Sequence, residues 1–189
     1  MSELFFVSYF VLWGLVLVGA AAIIQLFKRT AQPMRGETIR KDILAESERG
    51  IPAGQVFPKS ELASINKGIM PLQGSAADTV LLITSVACQA CEGIYTHIPA
   101  FLRKNPGLKL ALLIDGAEEE IRDKLGRFEL DVPVYAIQPY DFAELSITVF
   151  PFGYYLRNDG TVAAKGVVSA PEHLELLMKH KDRAWKAAG

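Results

Sequence analysis

Thr79-Val80-Leu81-Leu82-Ile83-Thr84-Ser85-Val86-Ala87-Cys88-Gln89-Ala90-Cys91 is the stretch on which the reading of this 189-residue chain turns. Its first six residues are apolar and partly β-branched, the pattern of a buried strand. Ser85 to Ala87 form a turn, and a helix-compatible segment follows from about Gln89 towards Arg103. The only two cysteines of the chain therefore fall at a strand-to-helix junction, separated by two residues. The spacing lets two sulfurs close a small, reducible ring. The position puts Cys88 where unpaired N–H groups and the positive end of a helix favour a thiolate, the attacking species in disulfide exchange. Cys91, one turn further on, is the resolving thiol. A structural zinc site needs four ligands; no second cysteine pair exists, and His97, His173 and His180 stand at no recognisable ligand spacing.

Before this stretch, residues 4–27 (LFFVSYFVLWGLVLVGAAAIIQLF) carry no charge. At ~1.5 Å per residue such a helix crosses a ~30 Å hydrocarbon core with room to tilt. A cleaved signal peptide would use Ala20-Ala21-Ala22, but the chain before the run holds Glu3 and no basic residue, and the apolar run continues to Phe27. An uncleaved single-span anchor is expected, behind a tail of residues 1–3. Orientation is pulled two ways. Lys28, Arg29, Arg35, Arg40 and Lys41 all follow the span, which by the positive-inside rule holds the rest in the cytoplasm. Anchored dithiol domains, however, have most work where disulfides persist, and the extracytoplasmic side is the expectation adopted. Residues 28–50 mix charges without a sustained apolar face and read as a linker, and the globular domain is expected over 51–189.

After the cysteines the chain alternates as an α/β domain does. Strands are expected at Leu108–Ile114, Pro133–Ile137, Phe152–Leu156 and Thr161–Val168, the last two joined through the turn signal Asn158-Asp159-Gly160. Helices are expected at Glu118–Arg127, as a turn or two at Tyr140–Leu145, and from Glu172 to about His180 after Pro171. Leu174, Leu177 and Met178 form the inner face of the last. Together these give a thioredoxin-like fold, a central mixed sheet flanked by helices, behind an N-terminal transmembrane helix. In such folds a cis-proline lies against the C-x-x-C and leaves the preceding backbone free to pair with a substrate strand. Pro151, in Val149-Phe150-Pro151-Phe152, takes that place, so Phe150 and Pro151 are the expected substrate-binding residues.

The chain resembles the membrane-anchored, thioredoxin-like proteins of the methylamine utilization protein MauD family. The resemblance lies in the apolar span, Pro52-Ala53-Gly54, the C-x-x-C, Leu113-Ile114-Asp115-Gly116, Phe150-Pro151-Phe152 and the tail Ala164-Lys165-Gly166-Val167-Val168-Ser169-Ala170-Pro171-Glu172-His173-Leu174-Glu175. It implies a thiol–disulfide oxidoreductase that forms or preserves disulfides in an exported client protein, as that family does for the small subunit of methylamine dehydrogenase. It also implies a redox partner that recycles the dithiol, and it supports an outward-facing domain on the cell membrane. No cofactor, metal or nucleic acid belongs to this reading. The departures from thioredoxins are the dipeptide Gln89-Ala90 without proline, Ala87 in place of a tryptophan, Leu82 in place of a buried aspartate, and Pro99 eight residues after Cys91.

The alternative function is a copper-binding or metallochaperone module, in which two thiolates and a histidine hold a soft metal. Such modules use C-x-x-x-C and a loop histidine, whereas this chain has C-x-x-C and His173 in an expected helix. Cysteines that merely stabilise the domain are a third reading, but a four-residue ring constrains little of the unfolded chain. Glu92 is read as a base for Cys91 or a solvated first-turn acid, and His97 as a surface residue.

Overall fold

The computed structural model describes Tyr9, Trp13, Gly14, Val16, Leu17, Gly19 and residues 49–187, the last seven for their backbone alone. The first six of these are helical. The rest of the expected 4–27 span, and the linker up to residue 48, lie outside the described residues. Among the described residues no helix is long and apolar enough to cross a membrane.

From residue 49 the order is β1 (Glu61–Ser64), β2 (Gly68–Pro71), β3 (Thr79–Ser85), α1 (Gln89–Tyr95), α2 (Ile98–Lys104), β4 (Lys109–Asp115), α3 (Glu118–Arg127), β5 (Val134–Ala136), α4 (Asp141–Glu144), β6 (Phe152–Leu156), β7 (Val162–Val167) and α5 (Glu172–Ala187). The five-stranded sheet runs β5-β4-β3-β6-β7. Its central strand β3 is buried along all seven residues, parallel to β4 on one side and antiparallel to β6 on the other. A strand covered on both faces reads as a continuous apolar run, which is why β3 and β4 are legible without any alternation. The sheet is mixed, as expected.

The steps from β3 to β4 and from β4 to β5 go the same way across the sheet. Right-handed crossovers then bring α1, α2 and α3 to one face. Val80 and Leu82 meet Ile94, Tyr95, Phe101, Ile121, Leu174 and Leu177 in that core layer. Leu81 and Ile83 point the other way, towards Phe57, Leu62, Leu72, Leu113 and Leu145. The alternation of β3 therefore divides the molecule into two apolar layers.

Expected elements recur with shifts of a residue or two. The strand expected at 133–137 is shortened to Val134–Ala136, since Pro133 has no N–H to offer the ladder. The last helix runs to Ala187 rather than to about His180. The segment after the cysteines is two helices, not one: α1 stops at Tyr95, and α2 starts at Ile98 with Pro99 in its first turn. Proline fits a first turn and is excluded from a helix interior, so Pro99 decides where the second helix begins.

The start of the domain is tied to β6 and β7. The Ile51 amide donates to Tyr154 Oη (2.9 Å), and Lys165 Nζ donates to the carbonyls of Arg49 (2.7 Å) and Gly50 (3.0 Å). Gly54 N donates to Val162 O and Val162 N to Gln55 O, both at 2.8 Å, so this segment lies along the β7 edge. At the other edge the Ile65 amide donates to Val134 O (2.8 Å), and the Val134 amide reaches Ser64 Oγ and Asn66 Oδ1.

Candidate active site

Cys88 and Cys91 are joined in a disulfide, their Cα atoms 5.4 Å apart. Cys88 is the N-cap of α1, with extended backbone, and no side chain caps that helix. The Cys91 amide donates to Cys88 O (3.2 Å), and no side chain competes with the Cys88 sulfur for the first two amides of the helix. The two sulfurs differ in access: Cys88 is partly exposed beside exposed Ala87, Gln89 and Ala90, while Cys91 is wholly buried among Val80, Leu82 and Ile94. The sulfur expected from the sequence to be the less exposed, Cys91, is the covered one.

The turn carrying Cys88 is fixed from two sides. The Cys88 amide donates to Ser85 O (3.1 Å), and the Ala87 amide to Ser85 Oγ (3.3 Å). The Val86 amide donates to Asp115 O (2.8 Å), tying the turn to the carboxyl end of β4. Gly116 follows with φ of 149°, and a Cβ there would sit 2.5 Å from Val86 Cγ2. Only glycine lets the β4–α3 turn approach this closely. The motif Ile114-Asp115-Gly116 thus buttresses the cysteine turn.

Phe150 and Pro151 lie at the same end of the sheet. The Phe150–Pro151 peptide bond is cis, as expected. Since Ile83 pairs with Phe152, the register carried one residue further sets Pro151 beside Thr84, four residues before Cys88. Cys88 and Phe150 both pack against the core layer that holds Cys91. The Phe150 ring meets Phe142 edge-on at 6.3 Å. Phe142 stands on α4, which is pinned by buried Asp141: Lys59 Nζ lies 2.8 Å from one carboxylate oxygen, and Tyr135 Oη (2.9 Å) and the Gln138 amide (2.7 Å) donate to the other. Burial alone would lower the Lys59 ammonium, but its hydrogen bonds to Asp141 and Glu144 hold it above the ordinary lysine range.

The Glu92 carboxylate is ion-paired with α3. Lys124 Nζ of α3 lies 3.0 Å from its carboxylate, and Arg127 lies 4.0 Å away. Lys124 is buried, so the pair compensates a charge that would otherwise be costly. His97 is exposed, as expected, with Nδ1 2.9 Å from Gly93 O. His173 is buried where α5 begins, its Nδ1 accepting from the Ser169 amide at 3.2 Å. Among the described residues no three His, Cys, Asp or Glu side chains gather as metal ligands. Sequence reasoning quoted Gly116 without its packing role, and it missed Lys124 and a buried hydroxyl pair, Tyr95 Oη donating to Thr84 Oγ1 at 2.7 Å. Their signals were the spacing of Tyr95 four residues after Cys91 and a lone lysine on the inner stripe of α3.

No protein-family model matches the chain. Similarity to curated proteins is consistent along most of its length. The Paracoccus denitrificans methylamine utilization protein MauD is 27% identical over 136 residues, 70% of this chain and 68% of that protein. The Methylorubrum extorquens MauD is 24% identical over 189 residues, 95% and 88% of the two chains. The chain resembles MauD. Its fold is thioredoxin-like, shared with the thioredoxin domain of a thiol-disulfide oxidoreductase from Bacteroides vulgatus (13% identity, TM-score 0.55, 67% of this chain and 97% of that one). A secreted disulfide oxidoreductase from Mycobacterium tuberculosis is similar too (16% identity, TM-score 0.52, 64% and 92%).

Proposed function

We propose that the chain is a MauD-like, membrane-anchored thiol–disulfide oxidoreductase acting on cysteines of an exported client protein. The observation that carries this is the unequal burial of the two sulfurs at the start of α1, beside the Phe150–Pro151 turn. In the reducing direction the Cys88 thiolate attacks a client disulfide. A Cys88–client bond forms, the client's own S–S bond breaks, and the electron pair leaves on the second client sulfur, which takes up a proton. Cys91, as thiolate, then attacks Cys88 Sγ; the Cys88–Cys91 bond forms and the client departs as a thiol. Oxidation of a client runs the same steps backwards, and a second redox protein resets the pair. Phe150 and Pro151 receive the client's extended segment, with Phe150 giving apolar contact.

In the same proposal residues 4–27 are the anchor, 28–50 the linker and 51–189 the redox domain, placed outside the cytoplasm. The described part of the span supports an apolar surround, since Tyr9, Trp13, Val16 and Leu17 are all about half exposed or more (49–63%). The resemblance to MauD supports methylamine utilization as the setting.

The mixed disulfide is the test. Cys91→Ser keeps the attacking sulfur and removes the resolving one, so reducible complexes with client proteins should accumulate in cells, and Cys88→Ser should trap none. No complex above the Cys88→Ser background would overturn the exchange mechanism.

A further inference from the structure

A resolving thiol has to lose its proton before it attacks, and burial in apolar surroundings opposes that loss. Cys91 is fully buried. On β3 the residues facing its layer are Val80, Leu82 and, by alternation, Thr84; the first two offer nothing to a thiolate. Thr84 is buried as well, and its Oγ1 accepts the Tyr95 hydroxyl at 2.7 Å. Tyr95 stands four residues after Cys91 on α1, wholly buried in the same layer. Residues four apart lie on one face of a helix, so Tyr95 stands one turn on from Cys91 on the same face of α1. With its oxygen engaged by Tyr95, Thr84 keeps its own hydroxyl proton undonated among the described hydrogen bonds.

From this we infer that Thr84 and Tyr95 are positioning residues for the proton of Cys91: when the disulfide opens, the Thr84 hydroxyl, oriented by Tyr95, donates to the Cys91 thiolate. The proton released by Cys91 ends on the departing client sulfur or in water, and both hydroxyls stay protonated throughout. Burial raises the Tyr95 phenol, with the Glu92 charge adding to it against the Thr84 bond, which keeps it a donor across neutral pH. The charged groups around it are Glu92 on the same helix and Lys124 and Arg127 from α3, which hold each other. From β4 the layer receives Leu110, Leu112 and Ile114, with Asp115 only past its end, and from α5 Leu174 and Leu177. His173, at the start of α5, is engaged at Ser169. The hydroxyl pair is thus the uncharged polar device on this face.

The inference rests on the exchange mechanism proposed above, and its test separates the two. In the full-length chain in detergent, with Cys88→Ser leaving Cys91 as the single thiol, the titration of Cys91 is followed through the Cβ chemical shift of isotope-labelled cysteine. Thr84→Val and Tyr95→Phe should each move the midpoint to higher pH, cutting the thiolate fraction at neutral pH about tenfold, the size expected for one lost donor to a charged group. Thr84→Ser should restore the original midpoint. An unmoved midpoint in folded Thr84→Val, or the same shift in Thr84→Ser, would overturn the assignment. If Thr84→Val does not fold, Tyr95→Phe keeps the ring and decides alone. Failure to trap any client with Cys91→Ser would remove the exchange mechanism and leave this titration still readable.

Discussion

At the scale of single residues, the cysteine turn depends on a neighbour that carries no chemistry. Gly116 has positive φ and lies so close to Val86 that any Cβ would collide with it. Gly116→Ala should cost about 1–3 kcal/mol, the usual scale for a residue forced into such backbone, measurable as a shift of the urea midpoint. It should also slow reaction of Cys88 with a small disulfide, because the displaced Val86 carries the turn with it. An unchanged midpoint and rate would mean that the β4–α3 turn does not support the site. The dithiol itself was legible because a strand, a turn and two cysteines lie together in sequence. Gly116 was visible only as part of a quoted motif, and Lys124 not at all, since the contacts that matter for them come from 30 residues away, as in Gly116 against Val86.

Among the elements, the sheet and α5 meet with little room. Gly153 on β6 faces α5, and a Cβ there would sit 2.6 Å from Leu177 Cδ1 and 2.7 Å from Val168 Cγ2. Gly153→Val should overpack this layer and destabilise the domain by about 1–3 kcal/mol, read as a lowered thermal midpoint; an unchanged midpoint would show that α5 yields freely. The leucine spacing of α5 and the long apolar runs of β3 and β4 announced themselves in the sequence. The β1–β2 hairpin did not. Its strands are four residues each, one ends in Pro71, and only Leu62 and Met70 are buried. Their core is supplied by Phe57, Leu81 and Leu113 from elsewhere. Nor did the break between α1 and α2 show itself, because Thr96 and His97 do not themselves forbid a helix and the reason for the break lies in Pro99.

On the scale of the whole molecule, Tyr154 links the beginning of the domain to the loop after α4. It accepts from the Ile51 amide and donates to Leu145 O at 3.0 Å. Burial pushes its phenol from 10.0 up to about 12, partly offset by the Ile51 bond. The folded state therefore favours the neutral form. Its contribution is complete below pH 10, where the unfolded phenol begins to ionise, and is lost as pH rises through about 12. Buried Tyr95 and half-buried Tyr135 shift the same way. Urea stability should fall steadily across that alkaline window, and Tyr154→Phe should be less stable at neutral pH yet flatter in its pH dependence. An equally steep decline in the variant would remove Tyr154 from the account. The proposed anchor belongs to the same scale. An uncharged run over 4–27 predicts that the intact chain stays with membranes through alkaline carbonate; release into the soluble fraction with a new N-terminus near Ala22 would refute it.

In the role proposed above the domain would meet extended client chains, and a bare sheet edge would invite them to stick. Both outer strands here carry partners over part of their length. Gly54 and Gln55 bond to β7, and Val56 bridges Thr161; Ser64, Ile65 and Asn66 cover β5, while the Gln138 side chain donates to the Ala136 carbonyl. In the exchange proposed above, an extended client reaching these flanks would find those backbone groups taken and would be left the turn before β6, at the end of the sheet where β3 leads to Cys88. Shielding against clumping and steering of the visitor would then be the same property of the sheet.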